Sequence, residues 1–299
     1  MLTKTAALLV VMLASMLVTA QEKPKGSSVG SPAQANYAEV NGLNLYYEVR
    51  GEGDPLILLH GGLGAIEMLG EIPSRLAEGR QVIAVDLQAH GRTADIDRPL
   101  SCEALAGDIA ALITELGFRQ ADVMGYSLGG GVALRTAIQH PDLVHKLVLV
   151  STPFRSDGWY PEVLAGMAQT RAENAQMLEQ TPMYQLYAGV APNPEDWPVL
   201  VGKVGDLLRR DYDWSDEVAK LETATLLVVG DADSVRTSHA VELFKLLGGG
   251  QRDGGFDSSG MSSARLAILP AVTHFTIFAM PELASTVAPF LAGPTAQNQ

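Results

Sequence analysis

The feature that most constrains this chain is a series of short segments that fail to alternate between apolar and polar residues. Leu56-Ile57-Leu58-Leu59 and Val82-Ile83-Ala84-Val85 are apolar at every position, and residues 121–124, 146–150, 225–229 and 266–269 come close to it. A strand with one face in water alternates; a strand that does not must be covered on both faces, as in a parallel sheet flanked by helices. Helix-like stretches separate these runs, at residues 67–78, 101–116, 130–139, 238–247 and 281–291. In 101–116, Leu105, Ile109, Leu112 and Ile113 share one face, and Gly117 ends the pattern. Residues 37–40 and 43–49 are joined by Asn41-Gly42, a strong hairpin signal. The pattern predicts an α/β protein with a mostly parallel sheet, helices on both faces and a hairpin at its start.

Other parts of the chain obey different rules. Lys4, an apolar run over residues 6–18 broken only by Ser15, and the ending Val18-Thr19-Ala20 have the grammar of a secretory signal. The expectation is cleavage after Ala20, a periplasmic or secreted product, and no stable membrane anchor afterwards. Residues 21–36 read as a mobile lead-in, 37–292 as the folded domain and 293–299 as a tail. A formal charge of −13 leaves no basic patch for nucleic acid. Cys102 is the only cysteine, so no disulfide can form within the chain, and its place after the N-cap candidate Ser101 suits a small core residue. Oligomeric state leaves no mark in the sequence.

In parallel sheets the site lies beyond the carboxyl ends of the strands. Gly125-Tyr126-Ser127-Leu128-Gly129 sits at such an end, between a strand and a helix. A sharp turn there lifts the Ser127 hydroxyl clear of the backbone, and glycine on either side lets strand and helix pack closely. A serine hydroxyl needs a base, and the base needs a group that fixes its tautomer. Of six histidines, His274 follows the last predicted strand; His60 and His90 precede the serine, and His140, His145 and His239 lie at the wrong ends of their elements. For the acid, the loop after Val229 holds both Asp231 and Asp233, whereas the end at Val150 offers only Ser151 and Thr152. Asp233 lies one step deeper into its loop and is preferred; Asp231 then reads as a turn or surface residue.

With these residues in view the chain resembles the α/β-hydrolase family, in the branch of smaller esterases and cofactor-free haloperoxidases. The resemblance spans about residues 37–291. It rests on His60-Gly61-Gly62, Asp86 with His90-Gly91, the Gly125–Gly129 turn, the Gly-x-x-Asp from Gly230 to Asp233, and Thr273-His274-Phe275, with Ser, Asp and His in the family's order. It implies Ser127, Asp233 and His274 as catalytic residues and an oxyanion hole of two backbone N–H groups, from Leu128 and from Gly62, with Leu63 second for the latter. It implies a structural role for His60, a scaffold turn over residues 86–93 with Ala89 where glycine is usual, and a helical lid over residues 153–220. Aromatic residues in that lid and Met167, Met177 and Met183 are candidates for lining a pocket. The Gly-, Asp- and Ser-rich stretch 248–263 reads as a flexible loop on the face away from the site.

The expected activity is hydrolysis of small-molecule carboxylic esters through an acyl-enzyme, without cofactor or metal. Perhydrolysis or halogenation on the same residues, lactone hydrolysis, and ligand reception on a hydrolase scaffold are the alternatives. His-Glu-x-x-His, dinucleotide-binding and P-loop spacings are absent. Serine at the turn also separates the chain from the dehalogenases and epoxide hydrolases of the same fold, which use an aspartate nucleophile.

Overall fold

The computed structural model describes residues 33–293. The predicted signal segment 1–20, residues 21–32 of the lead-in and residues 294–299 of the tail lie outside the described residues. Eight strands form one sheet in the order β1-β2-β4-β3-β5-β6-β7-β8. They are β1 (Gln34–Val40), β2 (Leu43–Arg50), β3 (Asp54–Leu59), β4 (Arg80–Val85), β5 (Ala121–Tyr126), β6 (Val144–Val150), β7 (Ala224–Ala232) and β8 (Ala264–Thr273). β1 and β2 pair antiparallel through a turn with Asn41 and Gly42 both at positive φ, β2 pairs antiparallel with β4, and every later pair is parallel. The predicted α/β architecture is the observed one. β1 begins at Gln34, so residues 34–36, expected in the lead-in, are already paired with β2.

Successive residues of the central strands point to opposite faces, and each face has its own core. Ile57, Leu59, Val123 and Leu147 pack with helices α2 (Cys102–Glu115) and α3 (Leu128–Gln139). Leu56, Leu58, Met124 and Val148 pack on the other side with α1 (Ile72–Leu76) and α9 (Pro281–Ala292). Each fully buried Leu or Ile contributes about 1.5–3 kcal/mol relative to exposure, which is why these runs cannot sit at a surface. Ser101 caps α2, its hydroxyl accepting from the Ala104 N–H at 3.1 Å. Beneath the sheet, Lys146 at the start of β6 donates to the Leu291 carbonyl at 2.7 Å and the Phe290 carbonyl at 3.3 Å, tying down the carboxyl end of α9.

Three elements differ from expectation. The helix predicted over 67–78 is split: a 3-10 turn over Ile66–Leu69 stops at Gly70 (φ 55°), and α1 restarts with Pro73 in its first turn. β7 and β8 run past their predicted ends because they pair through a bulge: Gly230 pairs with Leu269, but Ala232 pairs with Thr273. Proline at 270 and Ala271 at φ 59° occupy the bulge, and both read as loop in sequence. His274 is therefore the first residue after β8 rather than part of a loop that starts at 270.

Between β6 and β7 the chain forms α4 (Pro161–Met167), α5 (Pro182–Val190), α6 (Trp197–Leu208) and α7 (Ser215–Val218). Trp197 is buried, donates its indole N–H to the Ala175 carbonyl at 3.1 Å, and packs against Tyr184 and Tyr187. α8 (Thr237–Leu246) follows β7. Residues 248–263 form a turn-rich connection into the start of β8, with Asp253 and Asp257 accepting from the N–H groups of Gly255 and Ser259.

Candidate active site

Six residues stand immediately after six parallel-sheet strands: His60 after β3, Asp86 after β4, Ser127 after β5, Ser151 after β6, Asp233 after β7 and His274 after β8. Parallel strands end on one edge, so residues up to 214 positions apart in sequence, from His60 to His274, share that edge.

At its centre the chain turns from β5 into α3 through Ser127, at φ 52° and ψ −115°. The turn is possible only with the two glycines that flank it. A Cβ on Gly125 would lie 2.1 Å from the Gly129 carbonyl oxygen, and one on Gly129 would lie 2.4 Å from the His60 carbonyl oxygen. The Ser127 N–H donates to the Val150 carbonyl at 3.0 Å, which anchors the turn to β6.

Ser127 Oγ lies 3.1 Å from His274 Nε2, and His274 Nδ1 lies 2.9 Å from Asp233 Oδ1. An ionised carboxylate only accepts, so the ring proton belongs on Nδ1 and the Nε2 lone pair faces the serine hydroxyl. Burial alone would raise the Asp233 pKa, but the hydrogen bonds from His274, Ser151 and the Val235 N–H outweigh it and hold the carboxyl below its usual value. Those bonds measure 2.9, 2.5 and 3.0 Å, and the Gly230 N–H adds a fourth at 3.2 Å. Asp231 is exposed and accepts from the Val272 N–H at 3.3 Å, at the bulge between β7 and β8. Tyr126, one residue before the serine, donates its hydroxyl to the His274 carbonyl at 2.8 Å and fixes that residue from behind.

The loop after β3 is held by two buried histidines. His60 Nε2 accepts from the Leu87 N–H at 3.1 Å while its Nδ1 lies 2.7 Å from the Gly61 carbonyl. His90 Nε2 accepts from the Leu63 N–H at 3.2 Å while its Nδ1 lies 2.8 Å from the Gln88 carbonyl. Each carbonyl requires an Nδ1–H donor, so both rings are neutral, and burial keeps them so: the His60 pKa is lowered and that of His90 falls to about 3. Asp86 completes the brace, accepting from the N–H groups of Ile66 and Arg92 at 2.8 Å each. Ala89 stands at φ 64°, which is the conformation that makes glycine usual there. The Leu63 N–H is committed to His90. A Cβ on Gly62 would lie 3.6 Å from the Leu128 side chain, and the Leu128 N–H is the first of helix α3, where the helix end favours negative charge.

A cavity of about 160 Å³ opens beside Ser127, between α2, α3 and the insertion. Trp159, Tyr212 and Trp214 line it, whereas Tyr184, Tyr187 and Trp197 pack the insertion itself. Met167, Met177 and Met183 do not line it; Met177 is exposed and Met183 packs against the core. Cys102 forms part of the wall, and burial pushes its thiol up to about 12, so it presents a neutral thiol. His140, His145 and His239 stay apart from the serine, His145 pairing with Asp122 and His239 accepting from the Phe154 N–H. Among the described residues no three His, Cys, Asp or Glu side chains converge as a metal site.

Sequence reasoning passed over two contributors. Ser151 and Tyr126 carry hydroxyls common at strand ends. Neither has a spacing signature; each is found only through the partner it reaches.

A family model described as the alpha/beta hydrolase fold matches residues 54–252. Over 121 residues the chain is 32% identical to an uncharacterized protein of Mycobacterium tuberculosis, covering 40% of this chain and 36% of that protein. Over 117 residues it is 36% identical to a soluble epoxide hydrolase of a Corynebacterium species, covering 38% and 40% respectively. The matches thus span well under half of these relatives' own length. Among solved structures, the carboxylesterase CesB of Bacillus subtilis superposes with a TM-score of 0.68 at 19% identity, over 97% of each chain, a likeness of fold.

Proposed function

The chain belongs to the alpha/beta-hydrolase family, whose model spans more than half of it, and from that premise we propose that it is an exported serine hydrolase cleaving carboxylic esters of small molecules. The observation that carries this reading is the unbroken hydrogen-bonded chain from Ser127 through His274 to Asp233. In it, Ser127 Oγ attacks the ester carbonyl as His274 Nε2 takes its proton. The N–H groups of Leu128 and Gly62 hold the oxyanion, and His274 returns the proton to the departing alkoxide. Water then attacks the acyl-enzyme with His274 again as base, regenerating Ser127 and releasing the acid. Asp233 holds the imidazole in one tautomer and stabilises the imidazolium. Residues 1–20 support export through the Sec-type signal grammar of their sequence. The similarity to an epoxide hydrolase is weighed against the residue at the turn: a serine, not the aspartate of that branch.

Hydrolysis of p-nitrophenyl butanoate by three variants tests the reading. Ser127→Ala is expected to abolish turnover with its far-UV circular dichroism intact. Asp233→Asn is expected to lose about 10⁴-fold in kcat, and Asp231→Asn to stay within about twofold, because its carboxylate only buttresses β8. Near-normal turnover by Ser127→Ala sinks the nucleophile; a larger loss at 231 than at 233 moves the acid.

A further inference from the structure

We infer that the cavity beside Ser127 is the acyl pocket, and that it is built for an uncharged acyl group of about six carbons, a short chain or a single ring. The inference rests on the serine hydrolase reading and adds the substrate class. Its direction follows from proton delivery. The leaving alkoxide must take its proton from His274 Nε2, so the alcohol portion lies on the His274 side of the scissile carbon. His274 does not border the cavity, which instead runs from Ser127 and Leu128 toward Cys102, Gly131 and Trp214. The portion that remains on Ser127 after the alcohol departs is therefore the portion the cavity receives.

The size follows from the closed end. A Cβ added at Gly131 would lie 3.2 Å from Cys102 Sγ and 3.8 Å from the Trp214 ring, so these three residues form a floor with no slack. The Trp214 ring is packed in place: the Tyr212 ring lies 4.5 Å from it, and the Arg135 guanidinium, itself held by Glu217 at 2.9 Å, lies 5.3 Å from it, while the Trp214 backbone N–H donates to the Phe154 carbonyl at 3.1 Å. The cavity, open at its mouth, holds about 160 Å³, close to an engineered apolar cavity of roughly 150 Å³ that accepts benzene. The charged residues at its border, Glu103, Arg210 and Asp211, are all exposed to solvent, so none is built into the cavity to pair with a charged acyl group. A chain of ten or twelve carbons exceeds that volume and must leave part of its length outside the cavity.

The test is a series of p-nitrophenyl esters from acetate to dodecanoate, with benzoate added. The expected kcat/KM is highest at butanoate or hexanoate, within about tenfold of that value for benzoate, and at least tenfold lower for decanoate and dodecanoate. Gly131→Ala is expected to lower the hexanoate-to-acetate ratio of kcat/KM at least tenfold with its far-UV circular dichroism intact, the helix-propensity gain of alanine offsetting the tight 3.2 Å approach to Cys102. Trp214→Leu is expected to move the optimum to longer chains. A maximum at decanoate or dodecanoate, or a Gly131→Ala variant that lowers acetate and hexanoate by the same factor, overturns the pocket. Mass-spectrometric labelling of Ser127 by a fluorophosphonate separates the two layers. Labelling together with a long-chain optimum removes the pocket and leaves the hydrolase; no label and no turnover of any ester removes both.

Discussion

At Ser151 a residue with no sequence signature holds the chemistry in place. Its backbone stands at φ 52°, an unfavourable conformation for any residue with a Cβ, and its hydroxyl donates to Asp233 Oδ2 at 2.5 Å. The same carboxylate presents Oδ1 to His274, so Ser151 orients the group that orients the base. A hydrogen bond to a charged group is worth about 1.5–3 kcal/mol, of which part reaches the transition state. Ser151→Ala is therefore expected to lower kcat about tenfold (about 1.4 kcal/mol) with KM nearly unchanged, read by steady-state kinetics on one ester. An unchanged kcat would show that the three backbone and ring donors hold Asp233 alone. The hydrogen-bonded set of Ser127, His274 and Asp233 was legible because each follows a strand, and strand ends are visible as the close of apolar runs. Ser151 was not, since a serine at a strand end has many uses and its distance from Asp233 is set by the pairing of β6 with β7.

Among the elements, α6 shows how the insertion is fastened over that edge. Lys203 donates to the carbonyls of Ile96 and Arg98 at 2.8 Å each and pairs with Asp95 at 2.6 Å, joining α6 to the loop after β4. The same helix places Val204 against Gly62 and carries Leu207 and Leu208 to the cavity wall. Lys203→Met keeps the aliphatic stem and removes all three polar contacts, leaving the Asp95 carboxylate with the Gln88 amide at 2.9 Å and no counter-charge. The expected outcome is a KM raised about three- to tenfold with kcat within about twofold, and a loss of about 1–2 kcal/mol in urea unfolding. Equal falls in kcat and kcat/KM would instead place α6 in the transition-state contacts. The sequence marked 153–220 as helical and aromatic but did not assign those aromatics, because a ring packing Trp197 and a ring lining the cavity have the same pattern in one dimension. The split helix at Gly70 escaped because apolar periodicity continues through it. The bulge at Ala271 escaped for the opposite reason: the proline at 270 closes the apolar run, and only the pairing with β7 carries the strand on to Thr273.

Over the whole molecule, the cost of placing polar groups at the end of a buried sheet falls on His60 and His90. Both are buried, both are neutral, and both have pKa values below the ordinary value, about 3 for His90. In the unfolded chain each titrates near 6.5. The sign follows from proton counting. Below about pH 6.5 the unfolded state binds protons that the folded state refuses, so stability is full above 6.5 and declines as pH falls toward the folded pKa. For His90 the slope approaches about 1.4 kcal/mol per pH unit in that window; His60 acts in the same direction, and so does His239, whose pKa burial lowers to about 4. Asp233 adds to the same trend at lower pH, because its folded pKa is also depressed and its contribution is lost as pH falls from its unfolded value, near 3.9, through the folded one. Urea midpoints are thus expected to be flat from pH 8 to 7 and to fall steeply between pH 6 and 4, well above the range of ordinary carboxylates. His90→Gln can still accept from the Leu63 N–H but has no ring to protonate, so it should flatten the slope between pH 6 and 4 by up to one proton's worth. If that variant keeps the wild-type slope, the acid sensitivity belongs to groups other than His90.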